Sequence, residues 1–131
     1  MEARKSDNGK MGTVDWEQLR ALALGLGLPR VEETTSWGQP TIKAHGKLWV
    51  FWSPAEDCPV LKTIPGERDL LIEGAADVFF VTPHYQRHDL VLIRKNAFDP
   101  EWTKRYLQKT WEWMAPKRFL KKWKEEQADR N

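Results

Sequence analysis

The stretch Thr82–Asp89, TPHYQRHD, contains four side chains that could bind a ligand or take part in a reaction. Arg87 can pair with a phosphate, the ring of Tyr85 can stack on a nucleobase, and His84 and His88 can donate hydrogen bonds near neutral pH. A structural interpretation competes with this one: the Tyr85 ring packs over a sheet, and the other side chains keep a loop in water. The sequence leaves both interpretations open and favours the structural one.

The remaining reactive side chains predict neither a metal site nor a nucleophile. His84 and His88 are four residues apart, but they lie in a turn rather than a helix and have no evident third ligand. Cys58 is the single cysteine, and a nucleophilic role would require a histidine base that the sequence does not place. No phosphate-cradling glycine loop and no Ser/His/Asp order is present. We therefore expect no metal, no cofactor and no enzyme activity.

The charge is unevenly distributed along the chain, which could create a second binding surface. The net charge is only +2, but residues 99–131 carry nine Lys and Arg against six Asp and Glu. Between Lys104 and Lys124 the count is eight against one. A basic helix of this kind can contact phosphate, although a solvated helix face explains the same pattern and is the commoner reason for it. The candidate phosphate contacts are Lys117, Arg118, Lys121, Lys122 and Lys124.

The TPHYQRHD stretch joins two apolar runs, Val78–Val81 and Leu90–Ile93, which predict the strands of a hairpin with a polar tip. Successive residues are apolar in both runs. Both faces of each strand should therefore be covered, and we expect this hairpin near the middle of a sheet.

A second hairpin is predicted from Thr41–His45 and Lys47–Ser53, with Gly46 at or beside the turn. Alternation along its second strand would place Leu48, Val50 and Trp52 on one face of the sheet. A short further strand is predicted at Val60–Ile64.

Three helices complete the pattern. The first covers Thr13–Leu26, where Asp15 is three residues before a glutamine, as in a capping box. A short helix is predicted at Glu67–Glu73. A long C-terminal helix begins after Asp99 as N-cap, and Pro116 either kinks this helix or starts a new one.

Length and composition indicate one domain over residues 13–124. We expect residues 1–12 to be a disordered polar tail and residues 125–131 to be a polar tail that frays. A single cysteine cannot form a disulfide within the chain, and no apolar stretch reaches the roughly 20 residues needed to cross a bilayer. We therefore predict a cytoplasmic protein without a membrane partner.

Three stretches resemble the MmcQ/YjbR family: Glu33–Trp52, Phe79–Arg94 and Trp113–Leu120. In that family an acidic-threonine stretch leads to a Gly-x-Pro turn and then to a Gly-Lys hairpin. A Thr-Pro-His-Tyr tip and an Ala-Pro-Lys-Arg segment follow. All of these motifs occur here in the family's order, and the resemblance covers roughly Thr13–Trp123.

The resemblance implies a two-layer α+β fold, sometimes described as CyaY-like. Its antiparallel sheet has five to six strands packed by helices in the order α-β(3)-α-β(2)-α, and Val60–Ile64 would add a short extra strand.

The resemblance also implies DNA binding through a "double wing" of two hairpin loops. It places Gly46 and Lys47 on one loop and Arg87 on the other, together with His84, Tyr85 and His88. Lys117 and Arg118 occupy the Pro-Lys-Arg position of the family pattern.

Three functional hypotheses follow, each from a different class. The first is nucleic-acid binding through the basic C-terminal helix and the two loops. The second is a protein-interaction or homodimerising module, because eight tryptophans are many for one small core. Trp37 and Trp123 are the candidates for surface positions. A third hypothesis, a small-ligand binder or enzyme, has no support in the sequence and would require a pocket lined by His84, Tyr85 and Arg94.

Overall fold

The computed structural model describes residues 13–36 and 38–130. Within these residues the helices are α1 (Trp16–Gly25), α2 (Glu67–Gly74), α3 (Pro100–Met114) and α4 (Lys117–Arg130). The strands are β1 (Val31–Ser36), β2 (Gln39–Ala44), β3 (Lys47–Ser53), β4 (Cys58–Lys62), β5 (Phe79–Phe80) and β6 (Leu90–Ile93). The predicted tail of residues 1–12 and the predicted surface position of Trp37 lie outside the described residues.

The strands form one antiparallel sheet in the order β1-β2-β3-β4-β6-β5. Helices α1 and α3 pack on the face that we call the inner face. This arrangement confirms the predicted α+β class. The observed element order is α-β(4)-α-β(2)-α-α, because the predicted short strand is the full strand β4 and α4 is a separate helix.

Two helices begin at the predicted caps. The Asp15 carboxylate accepts the Gln18 backbone N–H at 2.8 Å, and the Gln18 side-chain oxygen accepts the Asp15 N–H at 2.9 Å. The Asp99 carboxylate accepts the backbone N–H groups of Glu101 and Trp102 at 3.0 and 3.3 Å. These bonds satisfy N–H groups that have no partner within the helix.

Pro116 starts a new helix rather than kinking the old one. Ala115, the residue before it, has extended backbone angles of φ −70° and ψ 142°, as expected for a residue that precedes proline. The new helix α4 continues through residues 125–130, where the sequence predicts fraying. Glu, Gln, Ala and Arg are good helix formers, so nothing in that segment stops the helix.

The core lies between the inner face of the sheet and the helices. Trp49, Leu61, Leu107 and Trp111 are fully buried there. The Trp49 indole N–H is satisfied inside the core, since it donates to the Leu107 carbonyl oxygen at 3.2 Å and to the Thr110 hydroxyl at 3.0 Å. The centre of β3 is therefore fixed to the middle of α3.

Two details of the sheet differ from the sequence prediction. The β2–β3 register shifts between Ile42 and Lys43, so Trp49 and Val50 both join the inner core while Leu48 packs on the outer face. Strict alternation is thus wrong at this bulge. The expectation of a hairpin in mid-sheet is wrong, because β6 and β5 are the last two strands at one end of the sheet, although β6 is fully buried and has a strand on each side. Strand β5 has only two residues and lies at the edge, because the chain leaves the sheet after Phe80.

Among the described residues, no helix is both long and apolar enough to cross a membrane.

Candidate nucleic-acid interface

Helix α4 has one apolar side; the rest of its surface is basic over residues 117–124 and carries Glu125, Glu126 and Asp129 beyond them. Phe119, Leu120 and Trp123 pack against the inner core and are half-buried. The basic residues predicted to contact phosphate are all exposed, and no acidic residue interrupts them in the segment from 117 to 124. They are Lys117, Arg118, Lys121, Lys122 and Lys124.

Most of these charges have no carboxylate counter-ion among the described residues. Lys124 pairs with Glu112 of α3 at 3.4 Å. Within the part of the chain that the structure describes, the other four basic residues form no ion pair with a carboxylate. Their charge is therefore available to an external anion.

The first turn of α4 adds to this positive potential. It contains Lys117 and Arg118 and no acidic residue. Cations are unfavourable at a helix N-terminus, where the backbone already carries a partial positive charge. Departures from such local rules tend to occur at functional sites. The start of α4 is thus an electropositive end that favours anions.

The β2–β3 tip is docked against the end of α3 and the start of α4. The ring of His45 lies 4.9 Å from that of Trp111 and 5.7 Å from that of Phe119. His45 and Gly46 both have positive φ, 55° and 78°, as in the tight turns that connect hairpin strands. The exposed Lys47 follows this docked tip directly, and its charge acts on the His45 ring.

The His45 imidazole holds this tip rather than acting as an anion donor. Burial lowers its pKa, the charges of Arg30 and Lys47 lower it further, and the bond to the Trp111 carbonyl opposes the change. The ring is therefore neutral near pH 7, so that Nε2–H donates to that carbonyl oxygen at 3.1 Å. Its Nδ1 is buried without a hydrogen-bond partner.

Arg30 is a basic residue that the sequence analysis did not select. Its guanidinium lies 4.5 Å above the Phe119 ring, and its carbonyl oxygen accepts the His45 backbone N–H at 2.8 Å. Stacking of this kind holds an exposed cation in place. No local signal marks Arg30, because its position depends on contacts with residues 15 and 89 positions further along the chain.

The loop of residues 81–89 does not project as a polar tip. It turns back over the outer face, where Tyr85 is 8% exposed and packs with Val60, Leu90 and Leu92. The Tyr85 hydroxyl donates to the Ser53 hydroxyl at 3.0 Å. In this conformation the ring is not presented for stacking on a base, which favours the structural interpretation of Tyr85.

Arg68 of α2 holds the same loop from its other side. Its Nη1 donates to the carbonyl oxygens of Gln86 at 3.1 Å and His88 at 2.7 Å. The remaining candidates of this loop, His84, Arg87 and His88, are exposed.

The structure divides the sequence-predicted basic residues into two groups. Lys47 and α4 lie together on the inner-face side, whereas Arg87 belongs to the loop on the outer face. The β2–β3 tip and the β5–β6 loop leave the same end of the sheet. The strand pairs that carry them are three interstrand spacings apart, about 14 Å. Among the described residues, no hydrogen bond, ion pair or ring contact joins the two groups.

Among the described tryptophans, the exposed one is Trp113 rather than Trp123. The Trp123 ring packs edge-on against Trp111 with a centroid distance of 4.7 Å and is half-buried. Trp113, in the last turn of α3, is 49% exposed. The prediction for Trp123 is wrong because α4 turns at Pro116 and lays this side of the helix against α3.

One cavity bears on the hypothesis of a small-ligand binder. This cavity of about 190 Å³ is lined by Phe79, Trp102, Arg105 and their neighbours. It does not contain the His84, Tyr85 and Arg94 set that the third hypothesis requires, and it is smaller than the roughly 300–1,000 Å³ of typical ligand pockets.

Neither the potential metal ligands nor the cysteine indicates a reactive site. Among the described residues, no three side chains of His, Cys, Asp or Glu are grouped so that they could hold a metal ion. Burial raises the pKa of the Cys58 thiol to about 12, so it remains protonated at neutral pH.

Comparison with known families gives one match. The family model described as YjbR matches residues 26–113, which is more than half of the chain. No curated protein and no solved structure matches. The matched range contains the whole sheet, α2 and α3 up to Trp113, and it ends before α4. The family predicted from the motifs is confirmed: the chain belongs to the YjbR family.

Proposed function

We propose that this protein binds nucleic acid through phosphate contacts made by α4 and the β2–β3 tip. The observation that carries the proposal is the exposed side of α4, where Lys117, Arg118, Lys121 and Lys122 have no carboxylate partner among the described residues. Lys47 and Arg30 extend the same positive surface through the contacts of His45 and Phe119.

The composition of this surface favours binding that is largely independent of sequence. Its exposed residues from 117 to 124 are only Lys and Arg. Asn and Gln, which read adenine edges in the major groove, are absent from that segment. Contacts from Lys and Arg to phosphate fix position and supply affinity, but they carry little sequence information.

The test is fluorescence anisotropy of labelled DNA at about 50 mM salt, where phosphate contacts are strong. The variant K121Q/K122Q removes two unpaired charges of α4. The control K62Q/K104Q removes two charges from β4 and α3, so the net charge is matched. We expect the first variant to bind at least several-fold more weakly and the control to bind as the wild type does. Equal weakening by both would contradict a specific role of α4.

A second candidate function is homodimerisation through the outer face of the sheet. The observation that favours it is a set of half-buried apolar side chains on that face which the Tyr85 loop does not cover completely: Leu48, Phe51, Phe80 and Val81. Sedimentation velocity at low and high micromolar concentration tests it. A concentration-dependent dimer that Phe51→Ser abolishes supports this candidate, and a monomer throughout removes it. A cytoplasmic location and the lack of enzyme activity stay predictions.

A further inference from the structure

We propose that the nucleic acid bound is single-stranded, with an unpaired base stacked on Trp113. This inference rests on the proposed function. Among the described residues, Trp113 is the only Trp, Tyr or Phe classed as exposed, with 49% of its surface accessible. A flat indole at the surface offers a stacking platform to any base, because every base has a π-face.

The exposure of Trp113 follows from its position on the helix. With 3.6 residues per turn, Trp113 lies about 90° from the centre of the buried stripe of α3. Trp102 is also off-centre, but its ring stacks on Tyr106 at 4.9 Å. Within the described part of the chain, the Trp113 ring makes no ring–ring or cation–π contact. The buried stripe consists of Thr103, Tyr106, Leu107, Thr110, Trp111 and Met114.

A lone exposed hydrophobic side chain is normal on a protein surface, so a binding role for Trp113 depends on the residues around it. Lys109 precedes Trp113 by one turn on the same side of α3, a Cβ separation of about 5–6 Å. Lys117 follows after four residues, which span at most about 14 Å. An aromatic ring between cations is the arrangement that binds a base together with its flanking phosphates.

Both flanking lysines can reach an external phosphate. Lys117 is exposed and forms no ion pair among the described residues. Lys109 pairs with Glu67 at 3.0 Å, but its side chain remains 56% exposed. Exposed ion pairs contribute little to stability, so a phosphate can compete for this lysine.

A single strand fits this surface better than a duplex does. In a duplex the base faces are covered by stacking, and reaching them requires a wedge that opens a base step. Trp113 lies on the flank of a packed helix and does not project from a loop. The Tyr85 ring, which the sequence offers as a second stacking group, is buried. Unpaired bases can reach Trp113 without any opening of a duplex.

The test measures the affinity of wild type, W113A and W113F for three labelled probes of equal length. The probes are single-stranded oligothymidine, a mixed-sequence duplex and an abasic single strand. The matched control is L70A, which truncates another exposed apolar side chain, on α2 (66% exposed). Circular dichroism checks that each variant is folded.

We expect W113A to bind oligothymidine about 5- to 100-fold more weakly, W113F to lose less, and L70A to bind as the wild type. Neither the duplex nor the abasic strand should distinguish W113A from the wild type. If the wild type and the variants bind all three probes, and W113A binds oligothymidine as tightly as the wild type does, the stacking inference is overturned while phosphate binding stands. If the wild type binds none of the probes, the proposed function fails as well.

Discussion

The Nε2 of His45 lies 3.1 Å from the carbonyl oxygen of Trp111, and the two rings are 4.9 Å apart. This contact joins the tip of the β2–β3 hairpin to the last turn of α3, across 66 residues of sequence. The Trp111 indole N–H also donates to the Pro29 carbonyl oxygen at 2.9 Å, and Trp123 of α4 packs on the same ring. Trp111 is thus the point at which the hairpin tip and the basic helix are held together.

The first prediction concerns pH. Burial lowers the pKa of His45 below its ordinary 6.5, so the unfolded chain binds the proton more tightly than the folded protein. Stability should therefore fall as the pH drops from about 7.5 to about 5.5, a window above the range in which carboxylates titrate. Urea unfolding at the two pH values measures the change, and His45→Gln should flatten it. His88→Gln, at an exposed position of the β5–β6 loop, should leave the wild-type dependence intact; the opposite pattern would contradict this role of His45.

The second prediction concerns the contact between α2 and α3. The Tyr106 hydroxyl donates to Glu67 at 2.8 Å and accepts the Ile64 N–H at 3.3 Å. Tyr106→Phe leaves both partners without this bond, and the cost of such unmade bonds is about 1–3 kcal/mol. Chemical denaturation should show that the free energy of unfolding is lower by this amount. A change below a few tenths of a kcal/mol would show that water replaces the hydroxyl without loss.

The third prediction separates the structural role of Tyr85 from a stacking role. Tyr85→Leu removes the ring from the outer face and the bond to Ser53, so the free energy of unfolding should fall by about 1–3 kcal/mol. Affinity for DNA should be unchanged at a temperature where the variant is fully folded. A stable variant with clearly weaker DNA binding would restore Tyr85 as a stacking residue.

The fourth prediction concerns Cys58. Its side chain is almost fully buried, with 2% of the residue exposed, and burial raises its pKa to about 12. The thiolate is the reactive form, so the native protein should react with a thiol-specific disulfide reagent far more slowly than the denatured protein does. The rate of absorbance change in each state gives the ratio of the two reaction rates. Equal rates would place Cys58 in an open environment.

Local signals in the sequence predict local structure well in this chain. Asp15 and Asp99 cap their helices, and Gly46 lies in the turn of the second hairpin, because short-range hydrogen bonds and backbone angles decide these features. The motifs between Glu33 and Arg94 also identify the family correctly, and most of that stretch forms the sheet.

Features that depend on distant contacts are not predicted. The bulge that turns Trp49 inward is a property of the pairing between β2 and β3, which the alternation of one strand does not reveal. Trp123 is packed rather than at the surface because α4, which changes direction at Pro116, lays its ring against Trp111. The burial of Tyr85 depends on the path of a loop that Arg68 of α2 holds through backbone carbonyl oxygens.

The most direct test of phosphate binding by α4 is the dependence of DNA affinity on salt for the wild type and for K121Q/K122Q. Each phosphate contact contributes a slope of about −0.9 in log K against log salt on duplex DNA and about −0.7 on a single strand. Loss of two contacts should therefore make the slope shallower by about 1.5, with the matched control K62Q/K104Q unchanged. An identical slope for all three proteins would contradict the account, because the charges of α4 would then lie outside the interface.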